Sequence, residues 1–175
     1  MYRIIALALV MALTAPAWAD TASLERRVME LEAREAIRNL QLAYGRAVDN
    51  RDWQTFITLF ARDGGTWDGG MGVATGRDAI LKMMVDSLGT APNGTPEAQN
   101  NLHLMTNQMV TITGPDTAKA YCKWTFVMKA ADGSPQAVFV GHYEDDLVRE
   151  DGRWLFKYRK VYADMASPGA IPEDD

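Results

Sequence analysis

Near residue 101 the spacing of apolar residues changes from the period of a helix to the period of a strand, which excludes an all-helical and an all-strand fold alike. Upstream, Leu24, Val28 and Leu31 recur at steps of four and three, and Ile37, Leu40, Tyr44 and Ala47 continue the stripe after a small shift. This predicts a helix from Leu24 to about Val48, with Thr21 or Ser23 as its cap. Asp52 is placed to cap a short second helix whose buried face is Trp53, Phe56, Leu59 and Phe60. The glycine-rich stretch from Gly64 to Gly76 leaves room for one or two short strands around Trp67 and Met71 to Ala74. A third helix is expected from about Arg77 to Leu88, with Ile80, Met83, Met84 and Leu88 inward, and Ala91 to Asn101 reads as a polar loop.

Downstream, His103, Met105, Asn107, Met109 and Thr111 alternate with Leu102, Leu104, Thr106, Gln108 and Val110. Further strands are expected over Thr117 to Lys129, Ala137 to Val148 and Trp154 to Ala163. They are joined by turns at Gly114-Pro115-Asp116, Asp132-Gly133 and Asp151-Gly152, and Asp-Gly is a strong hairpin signal. Helices followed by an antiparallel meander make an α+β domain with the helices on one face of the sheet. Lys119, Lys123 and Lys157 alternate with apolar neighbours, so part of the other face meets water or a partner subunit, as in a homodimer or homotrimer.

The first nineteen residues read as a leader rather than as fold. Arg3, the apolar run Ile4 to Leu13 and the small residues of Ala17-Trp18-Ala19 form a signal peptide, with cleavage expected between Ala19 and Asp20. The run is shorter than the ~20 apolar residues that cross a bilayer, so an exported, periplasmic or secreted protein is expected, with no membrane association after cleavage. Residues 20–175 then form a single domain. Loss of Arg3 takes its net charge from -5 to -6, and an acidic domain without a Lys/Arg cluster has no footprint for nucleic acid. Cys122 is the single cysteine, which precludes an intramolecular disulfide, and two histidines are too few to suggest a zinc site.

Five groups of residues, in order, resemble the SnoaL-like branch of the nuclear transport factor 2-like superfamily. They are Tyr44-x4-Asp49-x2-Asp52-Trp53, Phe60-Ala61-x-Asp63, Thr75-Gly76-Arg77-Asp78-Ala79-Ile80, His103-x2-Thr106-Asn107 and Gly152-x-Trp154-x-Phe156. The resemblance implies a cone, in which a strongly curved mixed or antiparallel sheet wraps around three helices and encloses an apolar pocket. Around the site the chain looks most like scytalone dehydratases, bile-acid dehydratases and hexachlorocyclohexane dehydrochlorinases, whose Asp and His match Asp49 and His103. The bile-acid dehydratases add a Tyr and an Arg, matched by Tyr44 and Arg159. The second His of scytalone dehydratase has no counterpart in Ala120-Tyr121-Cys122-Lys123-Trp124, which disfavours a scytalone-type water site.

The residues themselves point the same way. His103 opens a strand among apolar residues, where an unpartnered imidazole is costly to bury. Asp49 lies at the end of the first helix, where the dipole favours cations, so something else must hold its carboxylate. A His N–H is the obvious partner, and the pairing would leave the other ring nitrogen free as a base. Tyr44 or Arg159 would supply a donor to a leaving group or an oxyanion. Plainer roles exist for each: Asp49 as a cap of the second helix, His103 as a core residue, Tyr44 as core packing, and Arg159 as an ion-pair partner of Glu144 or Asp146. His142 falls outside the matched residues and is read as structural. Met83, Met84, Met105, Met109 and Met128 suit either an adaptable lining or ordinary core. The expected function is a cofactor-independent, metal-free lyase or isomerase acting on a small apolar, alicyclic or polycyclic molecule. The alternatives are a non-catalytic binding or assembly domain, and a polyketide cyclase or ketosteroid isomerase with Asp49 as base.

Overall fold

Residues 17–91 and 101–168 are described by the computed structural model, the side chains of 17–20 excepted. The leader expected over Met1 to Ala19 lies almost wholly outside the described residues, as does most of the loop expected over Ala91 to Asn101. Helix α1 (Ala17–Asp49) uses only its second half for packing: Ile37, Leu40, Tyr44, Ala47 and Val48 are buried. The first half of the expected stripe is not covered, and Leu24, Val28 and Leu31 are exposed. Periodicity reveals that a helix has an apolar side, but not whether anything lies against it.

Helix α2 (Trp53–Thr58) begins where Asp52 accepts the Thr55 N–H at 3.0 Å, the cap expected of it, and buries Trp53 and Phe56. The glycine-rich stretch forms two short strands, β1 (Thr66–Gly69) and β2 (Gly72–Thr75), and helix α3 (Arg77–Leu88) turns Ile80 and Met84 inward. The meander follows as β3 (Asn101–Gly114), β4 (Thr117–Lys129), β5 (Pro135–Glu150) and β6 (Arg153–Ala166). The sheet order is β2-β1-β6-β5-β4-β3. Only β1 against β6 is parallel, so the sheet is mixed, and it is open, with β2 and β3 as its edges.

Irregularities in the ladders bend the sheet around the helices. In β3 the register shifts between Thr106 and Met109, and Asn107 takes a positive φ of 53°. One residue of slip exchanges the faces. His103 and Met105 turn inward before the bulge, and Gln108, Val110 and Ile112 after it. The uninterrupted alternation expected from His103 to Thr111 is therefore corrected: Met109 and Thr111 lie outside. Another shift, between Val140 and Gly141 of β5, lies beside a close approach. A Cβ on Gly141 would meet the Tyr162 carbonyl at 1.9 Å and the Trp124 ring at 2.7 Å, so only glycine lets that indole lie against β5.

Candidate active site

Between α1, α3 and the inner face of the sheet lies a cavity of about 440 Å³, a size typical of small-molecule sites. Its wall is mostly aromatic and aliphatic, with Trp67, Trp124, Phe126, Phe139, Met84 and Leu88 among the lining side chains. Tyr44, Tyr143, His103 and Arg51 bring polar groups to it, as do the indoles of Trp67 and Trp124.

Asp49, the last residue of α1, meets His103, near the start of β3, and of the two His103 lines the cavity. The His103 Nδ1 lies 2.6 Å from Asp49 Oδ1, and the His103 main-chain N–H donates to Asp49 Oδ2 at 2.9 Å. A carboxylate that accepts at Nδ1 puts the imidazole proton there, so Nε2 keeps its lone pair. The double attachment fixes the ring, and its neighbours Phe126 and Trp124 lie 4.8 and 6.0 Å away. Gly45, one turn before Asp49, lies where the helix packs on the strand: a Cβ there would come within 2.8 Å of the flexible Met105 Cε and in ordinary contact, 3.5 Å, with His103 Cβ.

Tyr44 is buried, its ring 5.1 Å from Phe56 and 5.5 Å from Tyr143. Its oxygen accepts the Trp67 indole N–H at 2.8 Å. Burial pushes the phenol up from its usual range, against the opposing pull of the Arg159 charge and the Trp67 hydrogen bond, so it holds its proton at neutral pH. Burial raises Tyr143 well above its usual value too, and raises the Cys122 thiol to about 11.

Arg159 is fully buried and is not part of the cavity wall. Its guanidinium pairs bidentately with Asp145, Nε to Oδ1 at 2.7 Å and Nη2 to Oδ2 at 2.8 Å. It lies over the rings of Phe156, Tyr44 and Tyr143 at 3.9, 4.0 and 4.2 Å. The surface pairing with Glu144 or Asp146 does not occur, since Asp146 instead takes Lys119 at 2.6 Å. Burial works against the guanidinium's charge, but Asp145 more than offsets it and holds the group firmly protonated. Gln41 completes the group by donating to Asp145 at 3.2 Å.

Tyr44 and His103 therefore line one cavity, with Asp49 behind His103 and Arg159 one layer behind Tyr44. Trp67, Arg51 and Asp145 were not singled out from the sequence. Asp145 had a signal: it alternates with Tyr143 and Leu147 on the buried face of β5, and an acid in that phase demands a cation. Arg51 had none, because its place in the wall depends on a positive φ of 55° in the turn after α1. There it donates to the Leu88 and Val48 carbonyls at 3.1 and 2.9 Å. Of the five methionines considered as lining or core, Met84 lines the cavity, Met83 and Met105 pack on the core, and Met109 and Met128 are exposed.

Residues 29–160 match the SnoaL-like domain family. A search among curated proteins finds no match. Among solved structures, a nuclear transport factor 2-like protein of cystatin-like fold from Novosphingobium aromaticivorans is 25% identical, with a TM-score of 0.69 over 85% of this chain and 93% of that one. A scytalone dehydratase-like protein from the same organism is 23% identical, with a TM-score of 0.65 over 81% of this chain and 90% of that one. A hexachlorocyclohexane dehydrochlorinase from Novosphingobium barchaimii is 19% identical, with a TM-score of 0.65 over 81% of this chain and 93% of that one.

Proposed function

We propose that this chain, which belongs to the SnoaL-like domain family, catalyses a cofactor-independent elimination on a small apolar alicyclic or polycyclic molecule, with His103 as general base. The observation that carries this reading is the double attachment of Asp49 to His103, at Nδ1 and at the main-chain N–H, which holds the imidazole on the wall of a mostly apolar cavity. Asp49 holds the tautomer and stabilises the imidazolium as it forms. His103 Nε2 takes the proton from an activated carbon. The C–H electron pair becomes the new double bond, and the bond to the leaving group breaks. A halide leaves as the anion, and a hydroxyl, hydrogen-bonded by Tyr44, leaves as water by taking the proton that His103 Nε2 has just received, which restores the base. Exclusion of water by the aromatic wall strengthens each of these interactions. A carboxylate base at Asp49, as an isomerase would use, is disfavoured because both of its oxygens are already engaged by His103.

The test is a panel of ring-bearing β-hydroxy and β-halo ketones, followed by the absorbance of the conjugated product. At least one should turn over, at a rate insensitive to chelators and slowed by deuterium at the abstracted carbon. Ligands that raise the melting temperature by linkage with no turnover across the panel would leave a binding domain as the better reading.

A further inference from the structure

Tyr44 meets the cavity with its oxygen already in use as an acceptor. A phenol hydroxyl is one donor and an acceptor, and the Trp67 indole N–H occupies the acceptor side from 2.8 Å. Trp67 is itself fixed, because β1 runs parallel to β6 and places Trp67 opposite Arg159 in the register. The hydroxyl proton is turned away from the indole, and among the described residues no acceptor takes it. The Arg159 guanidinium, 4.0 Å from the Tyr44 ring centre, draws electron density from the ring and makes the oxygen a poorer base. A hydroxyl that accepts one hydrogen bond is also a stronger donor of the next.

We infer that Trp67 is a positioning residue that commits Tyr44 to donating, so the ligand must present a hydrogen-bond acceptor, an oxygen or a halogen, to Tyr44. This deepens the elimination reading, and rests on it for His103 facing the acidic C–H. A substrate meets two poles across one apolar cavity: its C–H toward His103 Nε2 and its carbonyl, hydroxyl oxygen or halogen toward the Tyr44 hydroxyl. A ring compound that offers Tyr44 only a donor competes with the Trp67 N–H for its oxygen. Arg159 acts through Tyr44 and does not touch the ligand.

Acetophenone and cumene test this directly, since they share a shape and differ in one acceptor. Calorimetric titration of the wild-type protein should show a preference for acetophenone that Tyr44→Phe removes. Trp67→Phe should cut that preference roughly 2- to 10-fold, the usual worth of one hydrogen bond, and Trp67→His, which keeps an N–H, should restore part of it. A merely structural Trp67 would weaken both probes in parallel and leave their ratio unchanged, which would overturn the inference. So would a wild-type protein that binds the two probes equally. If the Trp67→Phe ratio falls as expected but no β-substituted ketone turns over, the elimination reading fails and the polarity of the cavity stands.

Discussion

Among the described residues two histidine–aspartate pairs form, and only one of them lies beside the apolar cavity. His103 with Asp49 and His142 with Asp164 both join Nδ1 to a carboxylate, at 2.6 and 2.9 Å. Distance does not separate them; surroundings do. The His103 and Asp49 side chains are 11% and 8% exposed, and the second carboxylate oxygen is held by the His103 main chain. His142 and Asp164 are 21% and 42% exposed on the outer sheet face, where the imidazole stacks between Tyr121 and Tyr162 at 5.4 and 4.4 Å. Next to the first pair is a largely apolar cavity of about 440 Å³. Next to the second is bulk solvent, which screens the carboxylate and competes for the ring nitrogen. A base needs a fixed ring, a held counter-charge and room for a dry reactant, and only the inner pair has all three.

The largest effect should come from breaking the inner pair. His103→Ala should lower turnover by roughly 10²–10⁴-fold, the usual contribution of a positioned general base, while circular dichroism and the melting temperature change little. Asp49→Asn keeps the shape but removes the charge that steadies the imidazolium, so it too should be severely impaired. The double variant should be hardly worse than either single one, because groups acting as a unit are non-additive. If Asp49→Asn abolishes turnover while His103→Gln barely alters it, the carboxylate is the base and the contrast between the two pairs loses its chemical meaning.

A buried pair that does not line the cavity sharpens the contrast from another side. Arg159 and Asp145 are both fully buried, so Arg159→Met would leave the Asp145 carboxylate with Gln41 as its remaining side-chain partner. Breaking such a pair from one side costs about 3–5 kcal/mol, which urea denaturation should register as a lower midpoint. An Arg159→Met protein as stable as the wild type, yet inactive, would put the guanidinium on the substrate and not behind Tyr44.

These distinctions were only partly legible in the sequence. The helices and strands of the meander could be read from apolar period and turn residues, because both record local geometry. That Asp49 and His103 belong together was suggested by each needing a partner where it sits, and the family resemblance favoured that over a cap and a core residue. What could not be read depended on tertiary placement. The slip at Asn107 decides which β3 side chains share a face with His103, and no spacing rule announces a bulge. Arg159 and Glu144 or Asp146 looked like surface charges, but the pairing that formed is Arg159 with Asp145, fully buried opposite it on β5. Trp67 looked like a strand marker until the parallel pairing of β1 with β6 carried its indole to Tyr44.

The smallest effect is expected at the outer pair, where a null result in turnover is the informative one. His142 is stacked on two tyrosines and bonded to a half-exposed aspartate, so His142→Ala removes packing and one surface pair. Each of the two aromatic contacts contributes about 0.5–1.5 kcal/mol and an exposed pair about 0–1 kcal/mol, so stability should drop by roughly 1–4 kcal/mol. The pair's share of that loss should shrink further in high salt, where exposed charges are screened. Turnover should stay within about two-fold of wild type, since the two pairs lie on opposite faces of the sheet with no shared partner. Asp164→Asn should be milder still, because it keeps the stacked rings. A His142→Ala variant that stays folded but loses turnover to the extent of His103→Ala would mean that the outer pair reaches the reacting atoms, and exposure would then be the wrong criterion for telling the two pairs apart.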